Sequence, residues 1–478
     1  MSIAKLDPRP LWENFVALNT HPRPSKEERA AVEFVHAFGL ELGLPTEMDE
    51  LGNVIIRKPA TSGMEGRRTV VLQGHLDMVC QKNEGTDFDF ATDGIRMSLK
   101  DGWVSADGTT LGADNGIGVA ATMAILAATD IAHPDIEALF TIDEETGMTG
   151  AAGLKPGTLK GDIMLNLDTE EDTELTIGCA GGVDITSTMN VPMVDAGPEH
   201  GLELRLRGLS GGHSGMDIHR GRGNANKLMN RLLGVVPGLQ LGVLDGGGLR
   251  NAIPRESTAQ VRVTDGAAAR KQLEQELAIL KTEYAVTDPE LRLEINDIDA
   301  PASALDPEFQ KRLFAAVAAC PSGISRMSPD IEGLVQTSNN LASVEVKGGH
   351  LIVQCLCRSS VDTEKMAHAH EIEAVFSLLG AAVEFAGSYP GWTPRPEASI
   401  VKLMEQLYEA RFDSKAAVVA CHAGLECGII GRHYPEMEMI SFGPNIRGAH
   451  SPDEKVEVSS VERFWGLLLE TLEKIPER

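Results

Sequence analysis

The chain has 478 residues, more than one compact core takes, so at least two domains are expected. Its 42% hydrophobic and 24% charged residues are ordinary for a globular protein, while a net charge of -27 repels nucleic acid and anionic membranes and favours cations. No apolar run approaches a membrane span and the opening MSIAKLDPRPLWENF has no apolar signal core, so nucleic acid and membrane are excluded as partners and a cytoplasmic location is expected.

In chain order, Ser25-Lys26-Glu27-Glu28 reads as a capping box opening an apolar-periodic helix that runs to Phe38. Strand-like runs follow at 53–56 and 69–72, then a small-residue helix after Asn115 and strands at 136–142 and 162–167. Strands broken by helices imply a covered, mostly parallel sheet. From about Val183 the texture changes. GLELRLRGLSG and LRLEINDI alternate with a strand period, SVEV-KGGH-LIVQCL reads as a hairpin, and helices are expected at 224–233, 267–284 and 363–379. From about Ser399 the buried α/β texture returns. The expected organisation is an α/β catalytic domain, residues 1–184 and 398–478, with a mostly parallel central sheet, interrupted by an α+β domain with an antiparallel sheet at 185–397.

Seven cysteines, odd in number and without the spacing of a zinc site, read as reduced core thiols. The acidic and histidine residues are more telling. His75 and Asp77 follow the strand at 69–72, Asp114 lies in the loop before a helix, Asp143-Glu144-Glu145 follow the strand at 136–142, Asp168 follows 162–167, and His450 lies beyond MEMISFGP. Ligands of open α/β sheets bind at that carboxyl edge. Two imidazoles and three carboxylates gathered there repel unless cations neutralise them, and borderline divalent metals prefer such N and O donors. Five ligands for two cations, one carboxylate shared, leave positions for water and substrate. The adjacent Glu144 and Glu145, read as an extended segment, are expected to point in opposite directions.

The segments HPRPSKEE, GHLDMV, LGADNGIG, DEETGMTGA, GGHSGMDIHRGRGNAN, NAIPRE, HAGLECG and GPNIRGAHSPDE, in this order, carry a family likeness over nearly the whole chain. It resembles the co-catalytic zinc exopeptidases that include aminoacylases, glutamate carboxypeptidases and succinyl-diaminopimelate desuccinylases. Within them it is most similar to the aminoacyl-histidine dipeptidase branch, the Xaa-His dipeptidases or bacterial carnosinases. The resemblance implies a zinc-exopeptidase-like fold with an inserted lid domain, and two divalent metal ions: zinc first, with manganese or cobalt suited to the same donors. His75 and Asp168 would hold one metal, Glu145 and His450 the other, and Asp114 would bridge them, with a cis peptide to Asn115. Asp77 would accept the His75 N–H and fix its tautomer. Glu144 would be the general base toward a water shared by the metals.

From the inserted domain, His213 would polarise the substrate carbonyl, Asn251 would line the site, and Arg358 would bind the substrate's terminal carboxylate, although RSS departs from the Arg-x-Pro form of relatives. The implied activity is hydrolysis of unblocked dipeptides, Xaa-His species included, by a homodimer acting on a small peptide substrate. An N-acyl-amino-acid deacylase or carboxypeptidase is the same chemistry on another amide; a protein that holds metal or peptide without turnover is a different class. His219 ranks below His213, a serine nucleophile at Ser214 lacks the strand–turn–helix context, and Glu426 in HAGLECG has no assigned role.

Overall fold

The computed structural model describes residues 3–195 and 197–478, which fold as two compact units. The first comprises Met1–Gly178, Pro394–Ala420 and Leu425–Arg478; the second comprises Cys179–Thr393 and Cys421–Gly424.

An eight-stranded sheet organises the first unit, in the order Thr46–Met48, Val54–Lys58, Ile136–Thr141, Val70–His75, Ile163–Asn166, Glu438–Ser441, Glu174–Cys179, Ala417–Cys421. Its four middle strands, Ile136–Thr141 through Glu438–Ser441, pair in parallel, and antiparallel pairings flank them at Val54–Lys58 and at Glu174–Cys179. Val70–His75, Ile136–Thr141 and Ile163–Asn166 are buried along their whole length. Covered on both faces, they read as apolar runs rather than alternations.

The helix Ala113–Ala127 packs on Val70–His75 and on the helix Arg9–Leu18. Its Ala and Gly content is a packing requirement. A Cβ on Gly118 would stand 2.5 Å from the Leu167 carbonyl oxygen, so only glycine lets the helix lie this close to the strand end. The Ser25–Glu28 segment departs from the sequence expectation. The helix runs Arg29–Glu41 with no side-chain cap at Glu28. Ser25 Oγ instead donates to Asp77 Oδ2 at 2.7 Å, and Glu28 Oε1 accepts the Asp143 N–H at 2.9 Å.

The second unit is an antiparallel sheet in the order Arg292–Asp299, His200–Arg207, Ser257–Val263, Gln240–Gly247, Val335–Lys347, His350–Ser359, Gly181–Asn190, Ala382–Tyr389, with Gly323–Met327 added against Val335–Lys347. The expected hairpin is present with Lys347 opposite His350. Its turn residues Gly348 and Gly349 have φ of 58° and 76°, the positive pair that a two-residue hairpin loop demands. Helices Ala225–Gly234, Gly266–Glu283, Pro307–Ala319 and Asp362–Leu379 contribute their apolar faces to the core of this unit, where Leu228, Leu273, Leu313 and Phe376 are buried with Leu204 and Val353 of the strands.

Candidate metal centre

The parallel strands of the first unit end together, and their ends bear the charged residues. His75 is the last residue of Val70–His75, Asp168 lies two past Ile163–Asn166, and Glu144 and Glu145 follow Ile136–Thr141. Asp114 enters the helix Ala113–Ala127, and the Asp114–Asn115 peptide is cis. His450, with φ of 63°, sits in the loop after Ile446–Arg447.

Two clusters meet at Asp114. His75 Nε2 lies 3.2 Å from Asp114 Oδ1 and 3.3 Å from Asp168 Oδ1. His450 Nε2 lies 3.3 Å from Asp114 Oδ2 and 3.0 Å from Glu145 Oε2. Ligand atoms of His75, Asp114 and Asp168 lie within 4.8 Å of one another, as do those of Asp114, Glu145 and His450, and those of His75, Glu144 and Glu145. Tetrahedral ligands held about 2.0–2.1 Å from a zinc ion stand about 3.3 Å apart, which these spacings approach. Glu145 Oε1 is moreover buried without a hydrogen-bond donor. The donor set therefore fits divalent cations, each cluster taking one oxygen of Asp114.

Asp77 explains how two neighbouring glutamates coexist. Residues 144–147 form a turn rather than the extended segment expected from the sequence. Asp143 adopts φ of 52°, which sends the next two N–H groups back toward Asp77. Glu144 N–H donates to Asp77 Oδ1 at 3.0 Å and Glu145 N–H to Asp77 Oδ2 at 3.2 Å. Asp77 Oδ1 also lies 3.4 Å from His75 Nδ1, so Asp77 faces the ring edge opposite the cluster. One carboxylate thus orients a histidine and a turn.

Left to one another, these groups settle their charges through protons. Burial opposes a charged His75, but Asp168, Asp114 and Asp77 outweigh it and lift its pKa well above the usual range. Hydrogen bonds to Asp114 and Glu145 lift His450 to about 11. Burial works against ionised Asp77 and Asp114, yet the imidazoles prevail, holding Asp77 at about 2 and Asp114 below the ordinary carboxylate range. Burial lifts Asp168 to about 7, and lifts Glu144 well above normal with help from Asp168, Glu426 and Glu145.

Three supporting residues carried no signal in the sequence reading. Glu454, in HSPDE, accepts the N–H groups of Leu111 and Gly112 on one oxygen and of Ala113 and Asp114 on the other, between 2.7 and 3.3 Å. Buried Arg23, in HPRPS, donates to the carbonyls of Leu76, Asp77 and Gly112. Burial and the Asp114 charge raise Glu170 to about 7. Two of the three stand inside segments that matter for other residues, and bonds made mostly to backbone carbonyls and N–H groups leave no spacing to read.

His213, Asn251 and Arg358 belong to the second unit. His213 Nδ1 accepts N–H bonds from Gly215 at 3.2 Å and Met216 at 3.1 Å, while Ser214 N–H donates to the Asn251 carbonyl at 2.7 Å. Arg358 is buried on the strand His350–Ser359, its Nη1 donating to Tyr389 Oη at 2.8 Å and its Nε without an acceptor. His422, overlooked in the sequence, joins them electrostatically. Burial, then Arg358 and His213, push its pKa down to about 3, and its Nε2 lies 2.7 Å from Ser338 Oγ. His219 is exposed.

An α/β sheet whose strand ends converge two imidazoles and a group of carboxylates on one point defines a metal-dependent hydrolase. Residues 71–474 match the model of Peptidase family M20/M25/M40, and the chain belongs to that family of peptide-bond hydrolases. It is 42% identical to the cytosol non-specific dipeptidase of Escherichia coli (strain K12), covering 100% of this chain and 99% of that one. The crystal structure of aminoacylhistidine dipeptidase from Vibrio alginolyticus matches with a TM-score of 0.93 and 43% identity over 100% of this chain and 99% of that one. Aminopeptidase PepT from Bacillus cereus, at 16% identity and a TM-score of 0.58 over 98% of this chain and 99% of that one, shares the fold. No helix among the described residues is long and apolar enough to cross a membrane.

Proposed function

We propose that this protein hydrolyses unblocked dipeptides, Xaa-His dipeptides among them, with two divalent cations, zinc foremost. The observation that carries the reading is Asp114 presenting one oxygen to each of two histidine–carboxylate clusters. His75, Asp168 and Asp114 Oδ1 would hold one cation; His450, Glu145 and Asp114 Oδ2 the other. The likeness to a cytosol non-specific dipeptidase of Escherichia coli and an aminoacylhistidine dipeptidase of Vibrio alginolyticus supports a dipeptide substrate, and the first also supports a cytoplasmic location.

Bound cations supply Lewis acidity and let water act as a nucleophile near neutral pH. Glu144, whose backbone Asp77 fixes, takes the water proton and passes it to the leaving amine. His213 serves the carbonyl. Two backbone N–H groups occupy its Nδ1, so the neutral ring carries its proton on Nε2, and burial with the Arg358 charge keeps the ring neutral. Nε2–H is then a donor for the substrate carbonyl oxygen. Arg358, buried with an unclaimed Nε–H, takes the terminal carboxylate, and Asn251 lines the site beside the His213 loop.

Two glutamate variants test the assignment. Glu144→Ala should abolish turnover with bound metal, measured by plasma mass spectrometry, near that of the parent. Glu145→Ala should lose metal. Equal metal loss in both would refute the division of roles. A panel of free and N-acetylated dipeptides should show turnover of the free forms alone.

A further inference from the structure

Beneath the cage the parallel strands carry polar residues where apolar ones would pack. Gln73, Asn166 and Ser441 are direct partners in register, Gln73 opposite Asn166 and Asn166 opposite Ser441, all three buried. Thr141, buried on the next strand, stands opposite His75. Asn166 Nδ2 donates to Gln73 Oε1 at 2.5 Å, and Ser441 Oγ donates to Asn166 Oδ1. Gln73 Nε2 and Thr141 Oγ1 each donate to Glu426 Oε2 at 2.6 Å. The bonds run from Ser441 to Asn166 to Gln73 and on to that carboxyl, which is fully buried at the head of the helix Glu426–His433.

The row lies one pleat below the ligands. Side chains two apart on a strand share a face, so Gln73 lies under His75 and Asn166 under Asp168. Thr141 lies three residues before Glu144, and Ser441 ends the neighbouring strand. Three of the four strands so joined lead into His75, Glu144–Glu145 and Asp168. Polar groups in such a core are tolerated when paired, and a paired row favours one arrangement; Glu426 Oε1 is the atom of this row left without a partner.

We propose that Glu426 is a positioning residue of the metal centre: as the acceptor on which this buried row ends, it holds the strand ends that lead into His75, Glu144–Glu145 and Asp168 in mutual register. The proposal rests on the metal-binding reading above. Burial lifts the Glu426 carboxyl to about 8. A neutral amide in its place therefore keeps both the shape and the acceptor.

Zinc affinity, measured by competition with a chromogenic chelator, tests this together with thermal unfolding of the zinc-free protein. Glu426→Ala removes the acceptor that Gln73 and Thr141 share, leaving them only the longer bonds from Gln73 Nε2 to Thr141 Oγ1 and from Thr141 Oγ1 to the Gly74 carbonyl, and zinc affinity should fall about 10- to 100-fold, the range for groups that orient ligands. Glu426→Gln should restore it to within about threefold. If Glu426→Ala does not fold, Thr141→Val removes one donor and should lower affinity about fivefold, the worth of one hydrogen bond. Parent-like zinc affinity in both Glu426→Ala and Thr141→Val, with or without a lower unfolding temperature, would overturn the proposal. So would a Glu426→Gln affinity as poor as that of Glu426→Ala. A parent that binds no zinc would instead overturn the reading of the metal centre itself.

Discussion

Asp77 has no spare acceptor. Its oxygens receive Ser25 Oγ, Glu144 N–H and Glu145 N–H and face His75 Nδ1. Asp77→Asn is nearly isosteric, yet turns an NH2 group onto one of those donors, and a donor facing a donor in a buried site is repulsive. Metal affinity or kcat/KM should fall about 10- to 100-fold, read by chelator competition and dipeptide turnover; a parent-like variant would mean that the turn holds itself. His422 gives a residue-scale pH effect. Its folded pKa of about 3 lies below the unfolded value near 6.5, so the unfolded chain binds a proton that the folded one refuses. Its contribution to stability is whole above pH 6.5 and fades as pH falls toward 3. Urea unfolding of His422→Asn should therefore weaken less between pH 6.5 and 5 than that of the parent, whereas equal slopes would place the acid sensitivity elsewhere.

At the scale of elements, Gly118 reverses an ordinary rule. Glycine to alanine inside a helix usually stabilises by about 1 kcal/mol. Here the new methyl meets the Leu167 carbonyl at 2.5 Å, one residue before Asp168. Gly118→Ala should destabilise by about 1–3 kcal/mol, as overpacking does, and a calorimetric rise in Tm instead would show that the helix can step back from the strand. The same elements show what the sequence discloses and what it hides. The apolar strands and their order of appearance were legible because burial on two faces leaves continuous runs. So was the grouping of histidines and acids, since each follows a strand or, for Asp114, opens a helix. Ser25 and Glu28 were misread because a capping box and a pair of hydrogen-bonding groups share the same letters. The turn at Glu144 was misread because its cause, Asp77, stands far off in sequence. Gln73, Asn166 and Ser441 were silent because each is one polar residue in an apolar run, and only pairing in register makes them a row.

For the whole molecule, charge and metal are one question. The sequence carries a net charge of -27, and the cage adds carboxylates at close quarters, so the protein draws cations toward a site that protons hold in their stead. His75 lies well above the normal range, His450 near 11 and Asp168 near 7, and ligands must shed these protons before they coordinate. At pH 8 His450 is charged and Asp168 is mostly ionised, so loading should release at least the His450 proton; at pH 6 Asp168 adds about one more. Apparent metal affinity should therefore fall as pH falls, and more steeply below 7. The metal-free protein should behave in the opposite sense. A histidine whose folded pKa is raised stabilises fully below about 6.5 and loses that contribution as pH climbs through the folded value. Metal-free stability should then decline toward alkaline pH where the loaded protein's does not. Isothermal titration of zinc into metal-free protein, in buffers of different ionisation enthalpy at pH 6 and 8, counts the protons directly. Heats independent of the buffer would mean that the imidazoles face no carboxylates in solution, and that the two clusters joined at Asp114 do not form before the cations arrive.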